Sequence, residues 1–139
     1  MRILGLDLGE RRVGVALSDP GGTIAQPLEQ FEPRGRRHLV ETVAGIVEKT
    51  RAERVVVGLP TRLDGTAGKQ ARRTEATVEA MRAGLGVPVA VWDERFTTRR
   101  AESALREAGL GPKGRKAKRD MVAATLILQA YLDAGAPMD

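Results

Sequence analysis

The chain is predicted to fold as an α/β domain, a mixed five-stranded sheet flanked by helices. Three observations predict it. Apolar residues alternate with a period of two up to Phe31 and then recur at helical spacing from Arg36. Beyond that point compact apolar runs and helical stretches take turns. A helix between two strands is a crossover, which makes the later strands parallel to the first, whereas short turns keep the early ones antiparallel. With 139 residues, 42% of them hydrophobic, the chain has material for one core and a single domain spanning 1–139.

The elements follow in order. Arg2–Leu8 is a compact apolar run and reads as a buried strand. Arg12–Ser18 alternates Val13, Val15 and Leu17 against smaller residues, and Gly9-Glu10-Arg11 before it is short enough for a hairpin. Asp19-Pro20-Gly21-Gly22 marks a turn, and Thr23–Phe31 is a third strand that Pro27 restricts to an edge. Leu39, Val40, Val43, Ile46 and Val47 mark a helix over Arg36–Arg51. Arg54–Leu59 is a buried strand, followed by a polar loop at Thr61–Gly68 and a helix over Lys69–Ala83. Val87–Trp92 is the fifth strand, with Pro88 breaking its start. Ala101, Ala104, Leu105 and Ala108 mark a helix that Gly109 ends, and a basic loop over Gly111–Arg119 leads to a last helix at Met121–Leu132. That helix is apolar on nearly every face and must be buried. This element order is that of a ribonuclease H-like core.

Composition removes several function classes. There is no cysteine, so disulfides, thiolate zinc sites and cysteine nucleophiles are excluded. The one histidine, His38, sits among Arg36 and Arg37 and reads as a surface residue. No apolar run approaches the roughly 20 residues of a membrane helix, and the start is too quickly acidic for a signal peptide. A cytoplasmic protein without membrane contact is expected. Gly68-Lys69 lacks the spacing and the Ser/Thr of a P-loop.

The net charge of +5 is localised. From Glu94 to Asp120 nine basic residues face four acidic ones, and the rest of the chain carries 14 of each. Lys113, Arg115, Lys116, Lys118 and Arg119 form the densest part. Such a cluster suits a phosphate-backbone partner, although a solvated loop would look the same.

Three acids stand where acids are costly or well placed. Asp7 lies inside an apolar strand, where an unpaired carboxylate needs a partner or a cation. Pairing with Arg2 or Arg11 is the structural alternative, while Gly5 and Gly9 leave room for a ligand. Asp93-Glu94 follows a strand at the carboxyl edge, where open α/β sheets place their sites. Asp120 opens the last helix, where an N-cap is the ordinary explanation. In this topology all three can meet at one sheet edge, and at least one should then titrate above the usual carboxylate range. Oxygen-only ligation would select Mg²⁺ or Mn²⁺.

The segments Gly5-Leu6-Asp7-Leu8-Gly9, Val56-Val57-Gly58-Leu59-Pro60, Asp93-Glu94-Arg95-Phe96-Thr97-Thr98 and Asp120-x-x-Ala123-Ala124 occur in this order. Together they resemble the motifs of the YqgF/RuvX family along essentially the whole chain. The resemblance implies a ribonuclease H-like nuclease, described either as acting on pre-16S rRNA or as Holliday-junction-resolvase-like. It implies Asp7, Glu94 and Asp120 as catalytic acids holding a two-metal Mg²⁺ or Mn²⁺ site. Arg11, Arg95 and the basic segment would then contact backbone phosphates of precursor rRNA or branched DNA. Two departures touch the substrate side. Thr61-Arg62-Leu63 replaces a common Leu-Asn-Met, and Val78 and Met81 stand where an aromatic is common.

Alternatives follow from the same residues. A junction resolvase should be a homodimer, because a four-way junction has two-fold symmetry, whereas an rRNA-trimming enzyme can be a monomer. A non-catalytic RNA-binding protein would need only the basic segment. Gly5-x-Asp7-x-Gly9 also resembles the phosphate turn of actin-like ATPases, which need a second such domain to close over nucleotide.

Overall fold

The computed structural model describes residues 1–60, 68–96 and 119–138, without the side chains of Arg95, Arg119 and Asp120. Five strands form one sheet: β1 (Ile3–Leu8), β2 (Val13–Ser18), β3 (Ala25–Phe31), β4 (Arg54–Leu59) and β5 (Val89–Asp93), in the order β3-β2-β1-β4-β5. β1 pairs antiparallel with β2, and β2 with β3, while β1–β4 and β4–β5 are parallel. The helices are α1 (Arg36–Thr50), α2 (Lys69–Gly84) and α3 (Arg119–Asp133), with a single 3-10 turn at Glu94–Phe96. The α1 crossover carries the chain from edge strand β3 past β2 and β1 to β4, which places β1 at the centre.

Local chemistry explains the boundaries. The β1–β2 turn closes when the Gly9 amide donates to the Arg12 carbonyl at 3.0 Å. β3 is an edge strand as Pro27 requires, and its register with β2 shifts between Val15 and Ala16, opposite Glu29 and Pro27. The turn before it is held by Asp19, whose carboxylate accepts from the amides of Gly21, Thr23 and Ile24 at 3.2, 2.6 and 2.8 Å. Those bonds, Ile24 first, hold the Asp19 carboxyl below the usual carboxylate range. The fifth strand begins two residues later than its apolar run. Pro88 has no N–H to donate and serves the ladder only through its carbonyl, which accepts from the Val55 amide at 3.0 Å.

The core has two layers. Leu4, Leu6, Val15, Val55 and Val57 face α1 and α2, meeting Leu39, Val43, Val78 and Met81. Val78 and Met81 are buried here, which explains their apolar character. Ile3, Ala16, Val56 and Ala90 face α3, meeting Ala124, Leu128 and Tyr131. This second face is lined by small residues, so α3 lies close to the sheet. A Cβ on Gly5 would fall 2.7 Å from Leu128 Cβ, and one on Gly58 would fall 2.4 Å from Ile127 Cδ1. α3 is also tied to the edge strand. Buried Gln129 accepts from the Ala25 amide at 2.9 Å and donates to the Thr23 carbonyl at 3.0 Å.

α3 starts two residues before the apolar run that marked it. Asp120 is therefore the second residue inside the helix and not the residue that caps it. The helix expected near Ala101–Ala108, the loop Gly111–Lys118 and Thr61-Arg62-Leu63 lie outside the described residues.

Candidate active site

Side chains alternate along a strand, so Asp7 projects to the same face as Ile3 and Gly5, the face covered by α3. One step beyond the Leu6–Val57 pair, β4 supplies Gly58, and β5 ends at Asp93, paired with Leu59. Glu94 then opens the 3-10 turn and swings its carboxyl back over the sheet. A Cβ on Gly58 would stand 3.0 Å from Glu94 Oε1, so the glycine makes room for the acid. There the Asp7 and Glu94 carboxyl groups are hydrogen-bonded to one another. Burial, the largest effect, raises the Glu94 pKa above the usual carboxylate range; the bond to Asp7 lowers it in part, and the charge of Asp93 raises it again. One acid of the cluster thus titrates high as crowding predicts, but desolvation leads and the repelling neighbour is Asp93.

α3 runs with its N-terminal turn toward these acids. Gly5 meets Ala124 and Leu128, while Ile3 shares its cluster with Tyr131 and Leu132 at the other end. Asp120, one turn before Ala124, belongs to the turn nearest Asp7; its side chain is outside the described residues. Among the described residues no group of three His, Cys, Asp or Glu forms a metal cage. The pair Asp7–Glu94 supplies only hard carboxylate oxygens, a donor set that fits Mg²⁺ or Mn²⁺.

The site has an aromatic wall that the sequence reading did not single out. Trp92 meets Phe96 and Tyr131 edge-on at 5.8 and 5.9 Å. The Trp92 indole N–H is buried and has no hydrogen-bond partner among the described residues. The signal was the pair Trp92 and Phe96 bracketing Asp93-Glu94.

Other expected residues separate. Arg11 is exposed at the β1–β2 tip, and Arg95 lies in the 3-10 turn beside Glu94. Lys113, Arg115, Lys116 and Lys118 lie outside the described residues, and Arg119 is the first residue of α3. Arg2, one possible partner for Asp7, instead donates to the Thr50 carbonyl at 3.1 Å. His38 is partly exposed and local in role, its Nδ1 accepting from the Arg34 amide at 3.0 Å. No helix of the described residues is long and apolar enough to cross a membrane.

Solved structures share this architecture. RuvC from Thermus thermophilus superposes with a TM-score of 0.61 at 17% identity, over 97% of each chain. The fowlpox virus resolvase, solved with Holliday junction DNA, superposes with a TM-score of 0.59 at 10% identity, over 99% of this chain and 100% of that one. These likenesses and the acid-lined carboxyl edge of a mixed sheet define a ribonuclease H-like fold. The family model described as "RuvX: Holliday junction resolvase" matches residues 1–134. A protein of Syntrophus aciditrophicus named as a candidate pre-16S rRNA nuclease is 46% identical over 134 residues, 96% of this chain and 89% of that one. One of Listeria monocytogenes with the same name is 44% identical over 135 residues, 96% of this chain and 98% of its own. The chain belongs to the RuvX family.

Proposed function

We propose that this chain is a divalent-metal-dependent nuclease that hydrolyses phosphodiester bonds of structured nucleic acid, with precursor 16S rRNA as its substrate. The observation that carries this reading is the contact of Asp7 and Glu94, brought from β1 and from the 3-10 turn after β5 to one half-buried edge. Structure alone gives no reason to place acids together there, since burial and the charge of Asp93 both raise the cost of ionising Glu94. The names of the relatives from Syntrophus and Listeria support the rRNA substrate.

Asp7, Glu94 and Asp120 would hold Mg²⁺ or Mn²⁺, which would supply Lewis-acid activation of water and charge stabilisation for a leaving 3′ oxygen. The chain's own contribution is placement. β1 fixes Asp7 and the 3-10 turn after β5 carries Glu94. Gly58 leaves space for Glu94, and Trp92, which meets Phe96 and Tyr131, is two residues before Glu94. Arg11, Arg95 and the basic segment from Lys113 to Arg119 would neutralise backbone phosphates. With two Phe, one Tyr and one Trp in the chain, recognition rests on shape and phosphate more than on base stacking. On this reading the protein works as a single domain and as a monomer.

The description of the family model favours a second reading, cleavage of four-way DNA junctions, which requires a homodimer. The deciding experiment incubates the protein with Mn²⁺ and three substrates: ribosomal-precursor RNA, single-stranded RNA and a four-way junction. Preferred cleavage of precursor RNA, absent in Asp7→Asn, is expected. Preference for the junction would select the second reading. Tight binding with no cleavage of any substrate would show a non-catalytic RNA-binding protein.

A further inference from the structure

The two faces of β1 lead to different places. Asp7 points toward α3, while Leu8 packs with the α1/α2 layer. On that opposite side lies a cleft of about 190 Å³, floored by Leu8, Val13 and Leu39 and walled by one stripe of α2. The stripe is Gln70, Arg73, Thr74 and Thr77, at the i, i+3, i+4, i+7 spacing that puts residues on one helix face. A face turned to a sheet ordinarily carries large apolar residues, but here Thr74 and Thr77 are buried and polar.

Three separate stretches of the chain border the same cleft. From them the lining takes Gly9 and Glu10, Pro33, and Gln70, Arg73, Thr74 and Thr77, with Arg73 the basic residue in the lining itself. Residues 9–12, 32–38 and 68–77 together carry eight Lys or Arg against three Glu. In the sequence this excess is hidden, because acidic residues elsewhere cancel it. Arg36 is aimed by Thr77: its Nε donates to Thr77 Oγ1 at 3.3 Å, and that hydroxyl donates to the Arg73 carbonyl at 3.1 Å. Among the described residues no carboxylate pairs with Arg36, Arg72 or Arg73. Glu10 is the one acid lining the cleft.

We infer that this cleft is a second phosphate-binding subsite, which holds the nucleic-acid backbone after it passes over the β1–β2 tip from the acidic edge. The inference rests on the nucleic-acid reading above. Arg36 and Arg73 contact phosphates, and Thr77 is a positioning residue for Arg36. The partner is a polyanion with more than one phosphate, because Arg36 comes from α1 and Arg73 from α2.

The test measures binding of structured RNA by fluorescence anisotropy across a salt titration, in an Asp7→Asn background that prevents cleavage. Adding Arg36→Gln and Arg73→Gln should weaken binding by about 10-fold and lower the slope of log K against log salt by about 1.4 to 1.8, two contacts' worth. Lys49→Gln with Arg51→Gln removes the same charge at the other end of the sheet and should change neither. Thr77→Val should reproduce part of the Arg36 loss, with an unchanged melting temperature for both arginine variants. Equal losses in the arginine pair and the Lys49/Arg51 pair would overturn the subsite, since long-range charge alone would then account for them. Unchanged binding in the arginine pair would also overturn it, with the nuclease reading intact. Failure of Asp7→Asn itself to bind any nucleic acid would remove both.

Discussion

Two hydrogen-bonded carboxyl groups share a proton or a cation, and that choice sets what Asp7 and Glu94 do. Asp7→Asn takes a carboxylate out of a partly buried strand position, so the metal-free fold is expected to be equally or more stable while cleavage falls by about 10³-fold, or ~4 kcal/mol. Thermal melts and a cleavage assay on one preparation check this; retained activity would remove Asp7 from the site. Glu94 carries a pH signature. Its folded-state pKa is raised above the ordinary 4.5, so the folded protein holds a proton that the unfolded chain has already lost. The metal-free protein should therefore lose stability as pH rises from 4.5 through the folded value, and Glu94→Gln should flatten that fall. Asp19 works in the opposite sense. Its pKa lies below 3.8, so the stability it contributes is present above 3.8 and lost as pH falls through the folded value. The site is open to solvent, and Asp19→Asn should cost less than about 1 kcal/mol at neutral pH, read by urea unfolding.

At the scale of elements, the close seat of α3 on the sheet depends on glycines. Gly58→Ala would bring a methyl to 2.4 Å from Ile127 Cδ1 and 3.0 Å from Glu94 Oε1. A loss of about 1 to 3 kcal/mol is expected, together with reduced cleavage. Adding Ile127→Val removes the offending methyl and should recover stability but not activity, because Glu94 stays displaced. Full recovery of both would show that Gly58 serves packing alone. Replacing Lys113, Arg115, Lys116, Lys118 and Arg119 with Gln should flatten the salt dependence of binding by about 0.7 to 0.9 per lost contact. An unchanged slope would make this loop a solvated one.

For the whole molecule, metal and fold are linked by mass action. Mn²⁺ that binds only the folded site should raise the melting temperature, and the gain should shrink as pH falls and protons compete for the same oxygens. Glu94→Gln and Asp120→Asn should each reduce the gain. If both variants respond to Mn²⁺ as the wild type does, these acids are not a shared site, and Asp120 has only its place in the first turn of α3.

The order of strands and helices was legible because period-two and helical patterns are local properties, set by which face of each element meets water. Pro27 at an edge, the turn at Asp19 and the buried last helix are read the same way. Asp7 was legible because a carboxylate in an apolar strand demands an explanation. Pro88 moved the start of β5, and Asp120 fell inside α3, because pairing partners and not composition decide where an element ends. Tertiary structure alone decided that Glu94 turns back over Gly58 to meet Asp7, since that contact joins residues far apart in the chain. It alone brought Arg36 to Thr77 beside Arg73 at the cleft along α2. Linear charge counting sums along the chain, whereas a phosphate responds to charges that are close in space, and only the fold determines which those are.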